Sequence, residues 1–242
     1  GANTHGHMRK MKQALQALEI PLTRWEVVLY QYVRFLHEGV LTRMGKRTGQ
    51  FLLLGSASGV LLQQTSESLA GRVAQLELTP FQAREVLPSN APAADLNRLW
   101  VRGGFPVSWL ADDDSSSLRW REAFITTYLE RDIPALGPRV PATTLRRLWT
   151  MLAHMQGGLL NQSQLAASLA VSGQTVARYI DILCDLMLVR RLPAWHGNVG
   201  KRLVRAPKVY VRDSGIAHAL LDLESLESVL SHPVAGASWE GF

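Results

Sequence analysis

NQSQLAASLAVSGQTVARYIDILCDLMLVRRLPAWHGNVGKRLVRAPKVYVR, residues 161–212, changes its apolar period twice, and that change decides the architecture. Leu165, Ala166 and Leu169 share one face of a short helix, Gln162 to Leu169, after which Ala170-Val171-Ser172-Gly173 turns the chain. In the next helix Val176, Ile180, Leu183 and Met187 recur at i, i+4, i+7 and i+11, one apolar stripe. Gln174, Thr175 and Arg178 point the other way. Leu188 to Leu192 and Lys208 to Arg212 then read as strands on either side of a Pro-Ala-Trp-His-Gly-Asn turn region.

Helix, turn, helix and hairpin in this order outline a winged helix-turn-helix. Gln174, Thr175 and Arg178 are candidates for base edges or phosphates of duplex DNA. From Arg190 to Arg212 the charged residues are Arg190, Arg191, Lys201, Arg202, Arg205, Lys208 and Arg212, with no Asp or Glu among them. Such clustering suits phosphate neutralisation, and Lys201, Arg202 and Arg205 are the wing candidates. The competing reading is an interdomain spacer whose basic loop is solvated. Asp181 and Asp185, on the Arg178 side of the second helix, favour the spacer, because carboxylates repel a phosphate backbone.

The chain has 242 residues, 47% of them apolar, which is room for one or two domains with sizeable cores. A formal charge of +6 suits a polyanionic partner or an acidic protein subunit. Cys184 is the sole cysteine, so no intrachain disulfide forms, and it reads as a structural thiol in a reducing compartment. No apolar run approaches the ~18 to 20 residues of a membrane span, and no secretion signal follows Met8, so a cytoplasmic location without a membrane partner is expected. Gly1 to His7 reads as foreign to the fold. The seven histidines show no metal-ligand spacing, and His154 and His218 are expected on helix faces near packing. Gly55-Ser56-Ala57-Ser58-Gly59 has alanine where a nucleophile elbow requires serine.

Phe51 to Leu54, ending in Gly55-Ser56-Ala57-Ser58, reads as a buried parallel strand feeding a helix, and Val73 to Leu78 as a second strand. Asp112 to Ser117 is a loop ending in an N-cap. Leu118 to Ile133 is helical through Trp120, Phe124, Tyr128 and Leu129. Pro141 starts another helix with Leu145, Leu148, Trp149 and Leu152 inward, and a boundary is expected near Gly157-Gly158.

FLLLGSAS (51–58), SESLAGRVAQLELTPF (66–81), RGGFP (102–106), WREAFITTYLERDIPALG (120–137), LRRLWTMLAH (145–154), GKRLVRAPKVYVRDSG (200–215) and SWEGF (238–242) together resemble one family. It is the group of prokaryotic AAA+-like P-loop ATPases with a C-terminal nuclease-like domain, and the resemblance spans about Gly49 to Phe242. It implies ATP and Mg²⁺ as cofactors of the family. It also implies nucleotide-sensing roles for Ser56 and Ser58 on a sensor-like strand, for Arg72 in Leu-Ala-Gly-Arg, and for Arg131 in Glu-Arg-Asp.

Residues 8–48 depart from the family pattern. A phosphate loop requires G-x-x-x-x-G-K-[ST] after a strand, so that backbone N–H groups cradle phosphates and a hydroxyl holds Mg²⁺. Gly39 to Thr48 has one residue too many between its glycines and Arg47 where the hydroxyl belongs. Tyr30-Gln31 follow Val27-Val28-Leu29 where a metal-holding acidic pair is expected. Asp213 and Glu240 match early acidic positions of the nuclease-like region, but two carboxylates do not make a metal site, and Asp213-Ser214 equally reads as a helix N-cap.

The expected fold is therefore mixed α/β and predominantly helical. It comprises a remnant P-loop-type core over 8–79, a helical lid over 80–156, a winged helix over 157–212 and the start of an incomplete nuclease-like region over 213–242. The expected function is DNA binding by a fragment that is inactive as an ATPase alone, with no cofactor, catalytic residue or metal site of its own. The alternatives are an ATPase completed elsewhere and a protein-interaction module pairing with another subunit or a second copy.

Overall fold

The computed structural model describes residues 78–135, 140–195 and 206–242. The chain divides into two compact units, Gly1–Leu76 and Glu77–Phe242, and the second contains every described residue. The expected strands at 51–54 and 73–78 and the near-miss loop at 39–48 fall outside them, Leu78 apart. No helix among the described residues is long and apolar enough to cross a membrane.

The described residues of the second unit are predominantly helical with one small antiparallel sheet. A short helix α1 (Ala83–Val86) precedes α2 (Ala93–Arg102), which ends where Gly103 adopts φ +75°. After α3 (Pro106–Trp109), Asp113 caps α4 (Asp114–Thr127) by accepting from the Ser116 N–H at 2.6 Å, so the helix starts four residues before the expected Leu118, inside the stretch read as a loop. Pro134 has no N–H to continue an α-helical ladder, and a π-helical turn, Tyr128–Asp132, lies just before it and the short α5 (Ile133–Ala135). Helix α6 (Ala142–His154) buries Leu145, Leu148, Trp149 and Leu152, the face its periodicity predicts.

Helices α7 (Gln162–Leu169) and α8 (Gly173–Asp185) lie where residues 161–212 place them, and each is capped by a side chain. Asn161 accepts from the Gln164 N–H and Ser172 from the Thr175 N–H, both at 3.1 Å. Met187 does not extend the apolar stripe. The α8 helix ends at Asp185, and Met187 sits beyond it at φ +57°. There the Leu188 N–H reaches the Leu183 carbonyl and the Met187 N–H reaches that of Cys184, a Schellman termination. The same pair of bonds closes α7 around Ala170 at φ +53°.

Strands β1 (Val189–Leu192) and β2 (Lys208–Val211) pair with Val189 opposite Val211 and Leu192 opposite Lys208. Residues 157–160 lie along the free edge of β2: the Gly157 N–H reaches the Val209 carbonyl, Val209 returns a bond to Gly158, and Leu159 bridges Lys208. The expected boundary at Gly157-Gly158 is thus a hydrogen-bonded edge. Three short helices, α9 (Ser214–Leu220), α10 (Leu226–Ser231) and α11 (Ala235–Gly241), complete the unit.

One apolar cluster runs from Ile125 through Trp149, Leu165, Ile180 and Val209 to Leu220, so the stretches read as lid, winged helix and tail bury side chains together. A smaller cluster joins Trp100 and Val101 of α2 to Leu223, Val229 and Val234.

Candidate functional site

The first turns of α8 present the residues singled out in the sequence. Gln174 and Arg178 are exposed and Thr175 is half-buried, while Val176 and Ile180 on the opposite face are fully buried. The Ser172 cap fixes this turn through the Thr175 N–H and holds the Thr175 hydroxyl at 2.8 Å. No atom lies within 4 Å of where a Gly173 side chain would begin, so the approach to the helix start is open. A helix with a fixed N-terminus, an open flank and an exposed amide and guanidinium can be laid against a polyanion.

Charges on the adjoining hairpin are partly spent within the fold. Arg191 pairs with Asp181 of α8 at 2.6 Å, and Lys208 pairs with Glu240 of α11 at 2.6 Å, a carboxylate that also accepts from Tyr210 at 3.0 Å. The Lys208 bond holds the Glu240 carboxyl below its ordinary range and the lysine above its own. Asp181, which in sequence opposed DNA contact, is thereby neutralised. Arg178 and Arg190 have no carboxylate partner among the described residues. Lys201, Arg202 and Arg205 lie outside the described residues, as do Ser56, Ser58 and Arg72. Arg131 is exposed within the π-helical turn.

The two family-like acidic positions are committed to structure. Asp213 is buried and caps α9: one oxygen accepts from the Ile216 N–H at 2.9 Å and the other from the Gly104 N–H at 2.8 Å. Burial pushes its carboxyl up, against those two N–H groups and the Arg121 charge. Among the described residues no three His, Cys, Asp or Glu side chains are grouped to hold a metal ion.

Around Asp213 lies a buried polar knot that sequence reasoning missed. Arg121 of α4 is fully buried and donates through Nη1 to the Val101 and Gly215 carbonyls at 3.2 and 2.8 Å. Desolvation lowers its pKa to about 10. Gly103, Gly104 and Gly215 let the strands of chain meet: added β-carbons would fall 2.1 Å from the Asp213 carboxylate, 2.2 Å from the Phe81 carbonyl and 2.1 Å from the Arg102 carbonyl. His218, also fully buried, has the Val101 carbonyl at 3.3 Å from Nδ1 and Ser238 Oγ at 2.8 Å from Nε2. Burial lowers the ring's pKa to about 4, so at neutral pH a single proton on Nδ1 faces the carbonyl, Ser238 donates to Nε2, and Trp100 Nε1–H donates to Ser238 at 3.1 Å. The RGGFP and RDSG strings were legible as motifs. His218 lies in packing as expected, whereas His154 is exposed at the end of α6, and the burial of Arg121 was not legible, since an arginine on a helix face carries no sign of it in sequence.

A family model described as a domain of unknown function, DUF8612, matches residues 93–227. That stretch begins at the first residue of α2 and ends within α10. A model of an AAA domain matches residues 30–87. Uncharacterised proteins of Mycobacterium bovis and Mycobacterium tuberculosis are each 49% identical over 193 residues, 80% of this chain and 43% of theirs. The chain thus spans less than half the length of these relatives. A shorter likeness, 52% identical over 54 residues, joins 22% of this chain to 10% of an arginine–tRNA ligase of Moorella thermoacetica. No solved structure matches the chain.

Proposed function

The chain belongs to the DUF8612 family, and we propose that its α7–turn–α8 unit and basic hairpin act as a winged helix that binds duplex DNA beside an AAA-like region. The observation that carries this reading is the exposed, capped start of α8, where Gln174 and Arg178 are exposed and Arg178 has no carboxylate partner among the described residues. The edge at 157–160, the pair β1–β2, and the order helix, helix, helix, hairpin are the parts a winged helix requires. In this reading Gln174, Thr175 and Arg178 face the major groove, and Lys201, Arg202 and Arg205 of the wing neutralise phosphates. The surroundings are cytoplasmic. The test is anisotropy of the full chain with a fluorescent 20-bp duplex across a salt series. Affinity should fall steeply with salt, and the double substitution Gln174→Ala, Arg178→Ala should weaken it at least about ten-fold. Equal binding by wild type and double variant would overturn the reading.

A second reading, nucleotide binding, is favoured by the AAA-domain match over residues 30–87. Ser56, Ser58 and Arg72 lie in the matched stretch and Arg131 beyond it, and the rest of an ATP and Mg²⁺ site would come from further chain or a partner subunit. Titration with Mg-ATP beside Lys46→Ala, the lysine that follows the second glycine of the near-miss loop at 39–48, tests it. Binding that the variant loses supports a nucleotide site in this chain, whereas no binding by wild type removes it. The ligase likeness covers a tenth of those enzymes and supplies no argument for their chemistry.

A further inference from the structure

At the far end of α8 from Gln174, three arginines meet. Arg190 and Arg191 of β1 and Arg212, just past β2, line one open groove of about 340 Å³ together with Val189 and Cys184. The register brings them there: Arg190 lies opposite Tyr210, two residues before Arg212, so both project from one face of the hairpin. Arg191 reaches the groove from the other face and is held in place by Asp181 at 2.6 Å. Arg190 is exposed and has no carboxylate partner among the described residues. Among the described residues the lining itself includes no carboxylate, Asp181 bonding Arg191 from beside it. Planar guanidinium forks match the oxygens of a phosphoryl group, and a guanidinium held by one carboxylate keeps further N–H donors for a second anion. Cys184 lies nine residues beyond Thr175, about 14 Å along the helix axis at 1.5 Å per residue. The groove is thus set apart from the start of α8.

We propose that this groove is a phosphoryl-binding site formed by Arg190, Arg191 and Arg212. The phosphoryl oxygens come either from a small polyphosphate or from the backbone of bound nucleic acid. The site stands on its own geometry, whether or not the start of α8 reads DNA.

The chain carries its own reporter, because its sole cysteine lines the groove. The rate at which the neutral reagent iodoacetamide alkylates Cys184 is measured in the full chain against pyrophosphate in one arm and a 20-bp duplex in the other. Pyrophosphate should slow the reaction saturably in wild type. Arg190→Gln or Arg212→Gln should raise the half-protecting concentration about ten-fold, the loss of one charge-assisted hydrogen bond. Circular dichroism checks that each variant is folded. Protection by the duplex that Arg190→Gln weakens assigns the phosphoryl source to nucleic acid, and protection by pyrophosphate alone assigns it to a small ligand. The proposal is overturned if neither anion slows alkylation of wild type, or if both folded variants are protected at the wild-type concentration.

Discussion

Arg191 with Asp181 and Arg121 with Asp213 are the same two residue types put to opposite use. The first pair sits at the surface beside α8, where water screens both charges and a few ångströms of movement cost little. The second two are buried among the glycines of α2 and α9 without bonding each other: Arg121 donates to backbone carbonyls, and each oxygen of Asp213 is committed to a backbone N–H. What separates them is dielectric surroundings, which decide whether a charge specifies the fold or remains available to a partner. The interior knot fixes how α2, α4 and α9 meet, and the surface set is left for binding.

Removing Asp213 should break this contrast most severely. Asp213→Ala would remove a buried negative charge that favours the charged form of Arg121 and leave two buried N–H groups without acceptors, costing about 3–5 kcal/mol. Asp181→Ala, the surface counterpart, should cost less than about 1 kcal/mol. Urea unfolding midpoints compare the two directly. Similar losses would mean that burial does not set the difference.

His218 sharpens the same comparison through pH. Desolvation is the main cause that lowers its pKa from 6.5 to about 4. The unfolded chain therefore takes up a proton near pH 6.5 that the folded chain refuses until about pH 4. Between those values the unfolded state binds more protons, so stability falls as pH falls, by about 3 kcal/mol from pH 7 to pH 4. His218→Gln should lose that component of the slope. Parallel stability curves for wild type and variant across this window would show that the buried ring is charged after all.

How much of this was legible follows from where each signal resides. The α6, α7 and α8 helices and the hairpin are local patterns, and Leu145, Leu148, Trp149, Leu165, Val176, Ile180 and Leu183 all point inward as their spacing predicts. Helix ends were harder. Ala170, Met187 and Asp222 take the left-handed position of a terminating turn without being glycine, so Met187 was read as one more rung of the α8 stripe. Contacts between distant residues were not legible at all. Nothing local in SWEGF shows Ser238 bonding His218 and Trp100, or Glu240 covering Lys208. The uniform positive charge counted from Arg190 to Arg212 therefore overstated what the hairpin offers, since Lys208 and Arg191 are already paired.

That overstatement yields the smallest and most specific expectation. If the proposed DNA interface includes the hairpin, Glu240 competes with phosphate for Lys208, because both would occupy the same ammonium at hydrogen-bond distance. Glu240→Gln removes the competing charge while keeping an acceptor for Tyr210. It should leave the fold unchanged and add about one phosphate contact, steepening the dependence of log affinity on log salt by about 0.9. Arg178→Ala should flatten it by a similar amount if that guanidinium meets a phosphate. If it meets a base edge, affinity should instead fall with the slope unchanged and discrimination at one position relaxed. The two substitutions on one salt series thus separate a cation masked by the fold from one left open by it, and a slope indifferent to Glu240→Gln would place Lys208 outside the interface.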